Sequence, residues 1–323
     1  MEPPKLSLRS LTERYPPRRR YLIGVSGGLD STALLHLLVE AGYRNLVVCH
    51  LNHRLRGRAS AGDARFAASL AKQLGLSFKG ASADVRALAK RQKLSLETAG
   101  RQARHAFFAD CAREFRCPRI FLAHHADDQV ETVVMNLFRG AGLRGLAGMR
   151  EECPLPARGN RKVSAIRPLL GVRRAELQSF AESERLRWRE DASNASPEFL
   201  RNRLRSEILP LLSEVFQRDV GTSILRLACL AEADIEYFDA AVEMLLPAEN
   251  EGLDANVFAG LPPALRLRLA RTWLRKNGIP DVGFREAEIV QTMGIARKNG
   301  AVANLPGGFR LRRSRDLLEI MAF

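Results

Sequence analysis

The chain has 323 residues, 46% of them hydrophobic and 27% charged, with a formal net charge of +15. That composition supports packed cores and excludes disordered and fibrous classes, while the length suggests two domains. No apolar run approaches the ~20 residues of a membrane span, the opening MEPPKLSLRSLTER lacks the apolar stretch of a secretory signal, and five cysteines without a CxxC pair argue for a reducing cytoplasm rather than a disulfide framework.

A Pro- and Arg-rich lead-in over 1–20 gives way to short apolar runs alternating with longer periodic ones. The runs predict strands at Tyr21–Val25, Leu46–Leu51, Leu76–Gly80, Arg119–His124 and Val163–Pro168. The periodic segments predict helices at Ser31–Ala41, Ala59–Leu74, Leu96–Arg116, Asp127–Phe138 and Val172–Glu184. This alternation specifies an α/β fold with a doubly wound parallel sheet over 1–170, in which a ligand sits beyond the carboxyl ends of the strands. Phe199–Leu212 reads as a bridging helix ending near Pro210, so the first domain is expected to span 1–212. The second, 216–323, reads as α-rich: helices at Glu214–Leu246, Ala264–Lys276 and Arg285–Met293, then short strands around a Pro306-Gly307-Gly308 turn.

Charge is distributed unevenly. Residues 1–150 carry 25 Lys/Arg against 12 Asp/Glu, residues 216–254 carry 2 against 9, and residues 255–323 carry 12 against 5. Two separated basic regions point to a polyanion that touches the protein in two places, and nucleic acid is the favoured one.

The run YLIGVSGGLDSTALLHLL carries the clearest chemistry. A strand ends at Val25, and Ser26-Gly27-Gly28-Leu29-Asp30-Ser31 leads into a helix, so consecutive backbone N–H groups and a helix N-terminus can cradle an anion. The lysine of a GxxxxGK[ST] loop is missing and GxGxxG is not formed, which excludes those two nucleotide motifs. Asp30 beside such a cradle makes sense with a divalent cation between acid and phosphate. It also makes sense if Asp30 caps the helix while Ser31 holds a phosphate.

A second acidic group lies past the fourth strand. Asp128 and Glu131 are spaced i, i+3, and Asp127 and Glu131 i, i+4, so either pair can converge on one helix face. Of the histidines, His50, His53, His124 and His125 end strands where ligands gather. Metal ligation by them is conceivable, but no cysteine is spaced to complete a zinc site, and simple packing is the plain alternative. Arg101 and Arg104 share a helix face with Glu97 and either reach phosphates or form a salt-bridged surface. Arg201, Asn202 and Arg205 lie within two turns of one helix, suited to an RNA backbone. Arg139 and Arg144 flank a glycine-rich stretch (Gly140, Gly142, Gly145, Gly148) that would let such a backbone approach. In the tail, Arg310 and Arg312 should share one face of a strand.

SGGLDS resembles the PP-loop (SGGxDS) of ATP pyrophosphatases, which split ATP between its α- and β-phosphates. In addition VCHLNHRLRG, LAHHADDQVETVVMNLFRGAGLRGLAGM, IRPLLGVRRAEL and EDASNASPEFLRNRLRSEILP resemble, in order and spacing, the bacterial tRNA(Ile)-lysidine synthetase family over roughly residues 21–212. The 216–323 region is similar to that family's tRNA-binding domain only in size and charge. The resemblance implies ATP and Mg2+ as cofactors, and L-lysine and an isoleucine tRNA with a CAU anticodon as partners. The implied reaction, in the cytoplasm, joins lysine to C2 of the wobble cytidine through an adenylated intermediate. It further implies Ser26–Ser31 with His53 as the ATP site, Asp128 and Glu131 handling the lysine ammonium, and Asp30 or Asp127 as a metal partner. No membrane partner is expected, and a homodimer is one option for assembly. A rival within the superfamily is a tRNA thiolase, which would need a persulfide or cluster cysteine. A non-catalytic RNA-binding protein is disfavoured by the intact SGGLDS and DDQVE.

Overall fold

The structure, a computed structural model, describes residues 8–55, 57–156, 163–189, 200–248, 251–296 and 298–322. By their contacts the residues divide into two compact units, Met1–Ala228 and Cys229–Phe323. The division falls inside a helix, C-terminal to the 212/216 boundary expected from the sequence.

In the first unit the chain runs α1 (Leu8–Arg14), β1 (Tyr21–Gly24), α2 (Leu29–Glu40), β2 (Leu46–Asn52), α3 (Arg58–Gln73), β3 (Ser77–Ser82), α4 (Val85–Gln92), α5 (Leu96–Glu114), β4 (Arg119–Phe121) and α6 (Ala126–Phe138). It continues through α7 (Leu143–Leu146), β5 (Glu152–Leu155), β6 (Val163–Ile166) and α8 (Arg174–Ser183). The strands form one sheet in the order β3-β2-β1-β4-β6-β5. All neighbours are parallel except β5, which runs antiparallel to β6. Successive side chains of β1 point to opposite faces. Tyr21 and Ile23 join the cluster with Leu34, Leu38 and Phe180, whereas Leu22 joins Phe107, Phe108 and Ile120 on the other face. The sheet is therefore covered on both sides, as near-continuous apolar strands require.

Helix α1, inside the segment read as a lead-in, and α4, α7 and β5 are not predicted from the sequence. The buried stripe of α4 is only Val85 and Ala89, too short to show a period, and Asp84 caps it by accepting from the Ala87 N–H at 2.9 Å. Strand β5 contains Pro154, which cannot donate to a ladder and is tolerated here because the strand is an edge.

Beyond α8, Phe199 lies outside the described residues, and helix α9 (Leu200–Arg203) runs through a π turn at Leu204–Ile208 into α10 (Leu209–Val215). The helix does not end at Pro210. The Leu209 N–H reaches back five residues to Leu204 O, and the proline occupies the first turn of the next segment, where its missing N–H costs little. The predicted Glu214–Leu246 helix instead breaks after Val215, with Gln217 at φ 50°, and restarts as α11 (Val220–Leu245). Among the described residues no helix is long and apolar enough to cross a membrane.

The second unit contains β7 (Leu253–Asp254), α12 (Ala255–Gly260), α13 (Pro263–Lys276), α14 (Phe284–Ile295), β8 (Val302–Leu305), β9 (Phe309–Ser314) and β10 (Leu317–Ala322). The strands make an antiparallel sheet, β7-β10-β9-β8, over a core of Phe258, Trp273, Leu274, Val290, Leu311 and Leu318.

Phe121 ends β4 at the root of the functional site. It is fully buried, with its ring centroid 5.0 Å from that of Tyr21 and 5.6 Å from that of Tyr43. Phe121→Ala is expected to cost about 3–5 kcal/mol through lost burial and the cavity left behind. Urea unfolding of the full chain should show a lower midpoint at unchanged slope, and an unchanged midpoint would contradict this packing.

Candidate functional site

The sheet order reverses between β1 and β4: the chain leaves β1 towards β2, and leaves β4 towards β6. Such a switch point opens a crevice at the carboxyl ends of the two strands. The loop Ser26–Ser31 follows β1, and His124, His125 and the start of α6 follow β4.

The Ser26–Ser31 loop is closed by its own hydroxyls. Ser31 Oγ accepts from the Ser26 N–H at 3.2 Å and donates to Gly28 O at 3.1 Å, while Ser26 Oγ accepts from the Gly28 N–H at 3.3 Å. Gly27 sits at φ 97°, in the left-handed region that a side chain disfavours. Its carbonyl accepts from the Arg189 N–H at 2.9 Å, and the Arg189 guanidinium is hydrogen-bonded to Asp63. Leu29 is buried, and Asp30 lies in the first turn of α2.

Across the crevice His125 caps α6 reciprocally. Its Nδ1 accepts from the Asp128 N–H at 3.4 Å, and Asp128 Oδ2 accepts from the His125 N–H at 3.1 Å. His125 Nε2 lies 3.8 Å from Asp30 Oδ2, so the buried ring bridges the two halves of the site. Asp127 accepts from the Arg174 N–H at 2.8 Å and lies 3.3 Å from Arg173 Nη2. Arg174 Nε is 3.6 Å from Asp30 Oδ1, an oxygen that is buried with no hydrogen-bond partner among the described residues. One turn beyond, the buried Glu131 accepts from Arg205 Nε at 2.7 Å, and Arg205 Nη2 is 3.4 Å from Asp128 Oδ1. A cavity of ≈ 220 Å³ opens beside Asp127 and Glu131, with Arg173, Arg205 and Asp219 on its walls.

The structure thus brings Asp30, Asp127, Asp128 and Glu131 together with the Ser26–Ser31 loop. Arg205 faces this acidic group, because the π turn lies against α6: Leu204 packs with Val134 and Met135. Sequence reasoning missed Arg173, Arg174 and Asp219. The first two lie in the block IRPLLGVRRAEL, and only the fold shows that the loop after β6 returns to the switch point.

His53 belongs to a separate, cationic group. Burial and the nearby Arg104 push its pKa down to about 4, and burial with Arg104, Arg101 and Arg167 does the same for His105. His124 is held well below its ordinary range by burial first and then by Arg167, Arg104, Arg201 and Arg101. It accepts from Arg167 Nε at 3.1 Å, so its neutral form is in use. Arg201 therefore belongs to this inward cluster, and Asn202 stands beside it on α9. His50 Nδ1 bonds Val25 O at 2.8 Å, a packing role. Among the described residues no group of three His, Cys, Asp or Glu side chains could hold a metal ion.

The glycine-rich stretch is anchored rather than loose. Gln129 donates to Ala147 O and Met149 O at 3.0 Å each and accepts from the Met149 N–H at 2.7 Å, while Asn136 donates to Gly145 O at 2.9 Å. Gly148, at φ 70°, leaves no room for a Cβ against Gln129. Arg139 and Arg144 are exposed on this anchored loop, next to Phe138 at 79% exposure. In the second unit Arg310 and Arg312 share the exposed face of β9, but Arg312 is paired with Glu319 at 2.8 Å. Arg313 is buried, donating to Met293 O and Gly294 O at the end of α14.

A doubly wound sheet with an SGGLDS cradle at its switch point defines a PP-loop protein, and residues 5–212 match the PP-loop domain family. Residues 253–318 match the TilS substrate binding domain. The chain is 36% identical over 311 residues to the tRNA(Ile)-lysidine synthase of Geobacter sulfurreducens, covering 93% of this chain and 64% of that protein. It is 34% identical to that of Solibacter usitatus, covering 93% and 67%, and 37% identical to that of Chlorobaculum tepidum, covering 72% and 68%. The chain belongs to the tRNA(Ile)-lysidine synthase family, and it spans about two-thirds of the length of these relatives. A U34-tRNA thiolase from Methanococcus maripaludis shares the fold, with a TM-score of 0.54 at 21% identity over 71% of this chain and 78% of that one.

Burial raises the Glu131 pKa in spite of the opposing pull of Arg205. A carboxyl raised in the folded state contributes stability at low pH that is lost as pH rises through its folded value. Thermal melts of wild type and Glu131→Gln, taken from the ordinary glutamate range upward, should therefore show the wild type losing ground to the variant as pH rises. A difference that stays constant, or moves the other way, would contradict the burial of this acid.

Proposed function

We propose that the protein uses ATP to join the ε-amine of L-lysine to C2 of the wobble cytidine of an isoleucine tRNA with a CAU anticodon, releasing pyrophosphate and AMP. The observation that carries this reading is the pairing, at one switch point, of a phosphate cradle with a carboxylate group built around His125. The family membership supplies the substrates. Five free cysteines suit a reducing cytoplasm.

The cytidine C2 oxygen is a poor leaving group and must be converted into a better one. Attack of that oxygen on the α-phosphorus breaks the bond to the β-phosphate, and pyrophosphate remains in the Ser26–Ser31 cradle. Gly27 and Gly28 let the backbone N–H groups approach the phosphates, and Ser31 shapes the loop. The cationic group of Arg101, Arg104, Arg167 and Arg201 faces the negative charge of nucleotide or RNA phosphates, and neutral His53 and His124 can donate or accept hydrogen bonds there. Lysine arrives as an ammonium, since its pKa is near 10.4. Asp128 and Glu131 bind it, and one of them takes a proton, the raised pKa of Glu131 suiting it to that task. The free amine then forms the C–N bond at C2 and AMP leaves with the oxygen. Arg205 keeps Glu131 and Asp128 in place, while Arg139 and Arg144 meet the RNA backbone.

The orphaned Asp30 oxygen fits a Mg2+ ion, which is held by one or two carboxylates plus substrate phosphates. Asp127 fits less well, because Arg174 N–H and Arg173 already occupy its two oxygens. When bound, Mg2+ would supply charge neutralisation at the phosphates.

Labelled lysine should enter transcribed CAU tRNA in the presence of ATP, and incorporation of sulfur instead would contradict the reading. Asp30→Ala should abolish tRNA-dependent pyrophosphate release, and normal release would remove Asp30 from adenylation. Asp128→Asn or Glu131→Gln should still form adenylated tRNA but slow lysine transfer by ~10²–10⁴-fold, as loss of a general base does. Simultaneous loss of both half-reactions would move these acids to the first step.

A further inference from the structure

Helix α6 ends on an aromatic ring that stands in solvent. Phe138 is its last residue and is 79% exposed among the described residues, with Leu137 beside it at 52%. Residues 132–150 contain Arg139, Arg144 and Arg150 and no Asp or Glu, so the chain around this ring attracts anions. Main chain next to the ring is bare, because a Cβ at Gly140 or Gly142 would meet open space. It is also fixed: Asn136 holds Gly145 O, and Gln129 holds Ala147 O and Met149 O.

The position of the ring relates it to the acids of the same helix. Phe138 lies seven residues beyond Glu131, which places the two within about 20° of each other around the helix axis and about 10 Å apart along it. Helical side chains lean toward the N-terminus, which inclines position 138 toward the Glu131 end of α6. An exposed aromatic face among guanidinium groups and accessible main chain suits single-stranded RNA, whose bases stack on the ring while cations meet the phosphates. A second copy of the chain fits less well. A two-fold contact through this patch would set Arg139 and Arg144 against their own copies.

We infer that Phe138 is a stacking platform for one unpaired base of the tRNA anticodon loop, two turns of α6 from the acids that handle the amine. The inference rests on the ligase reading above and adds a residue that holds the loop through the face of a base rather than through phosphate charge. Stacking reads no base edge, so Phe138 contributes affinity and register but not base identity.

The test measures binding of CAU tRNA by the full chain over a series of salt concentrations. Phe138→Ala should weaken binding by roughly 5- to 150-fold, the value of one base–aromatic stack. Phe138→Trp should keep the affinity, and Phe138→Leu, apolar but without a π face, should not. All three should melt near wild type, since the site is exposed. The slope of binding against salt should be unchanged in Phe138→Ala, whereas Arg139→Gln should reduce it by about 0.7, as loss of one single-strand phosphate contact does. An abasic nucleotide placed at each anticodon-loop position in turn should reveal one position where it costs wild type but not Phe138→Ala. Full affinity in Phe138→Ala or Phe138→Leu, or additive losses at every abasic position, would overturn the inference and leave the ligase reading intact. A variant that changes the sedimentation of the free protein but not its tRNA affinity would assign the ring to a contact between copies and overturn it too. Binding that depends on Phe138 in a wild type that incorporates no lysine would overturn the ligase reading alone, and a wild type that binds no CAU tRNA would overturn both.

Discussion

The site depends on one constraint of chain geometry: β1 and β4 are parallel neighbours from which the chain departs in opposite directions along the sheet. Each strand delivers a helix N-terminus to the same crevice, one carrying Asp30 and the other His125, Asp127 and Asp128. Two helix N-termini together attract anions, whereas the carboxylates in their first turns repel them. That opposition gives the crevice two distinct regions, a phosphate cradle of backbone donors and an acidic group one turn further along α6. His125 joins the two, using one edge as a helix cap and the other towards Asp30.

Burial sharpens this division. Glu131 is nearly inaccessible, and its charge is tolerated because Arg205 is aimed at it from the π turn at Leu204–Ile208. Burial first, and then nearby guanidinium groups, keep His53, His105 and His124 neutral. An acidic group around Glu131 and a basic group around His124 thus lie close together in one domain.

Much of this was legible in the sequence. SGGLDS and DDQVE are local patterns, each written on a strand end and the helix that follows, so their chemistry survives without knowledge of the fold. What the sequence did not show depends on segments that meet only after folding. Arg205 reads as one of several cations on a basic helix, and its bond to Glu131, 74 positions away, decides which way it points. Arg173 and Asp219 are ordinary surface residues until the loops after β6 and α10 return to α6. Arg313 follows the alternation of β9 but is buried, because the carbonyls ending α14 needed donors. Pro210 misled because a proline usually stops a helix, and here a π turn absorbs it.

In the proposed reaction tRNA, not lysine, receives the adenylate, and Asp128 and Glu131 act only on the amine. The most direct measurement is single-turnover pyrophosphate release from ATP with CAU tRNA and no lysine, followed by a lysine chase. A burst of pyrophosphate with adenylated tRNA accumulating is expected, then release of AMP when lysine is added. Pyrophosphate release that requires lysine but not tRNA would contradict it, because the lysine carboxylate would then be the group activated.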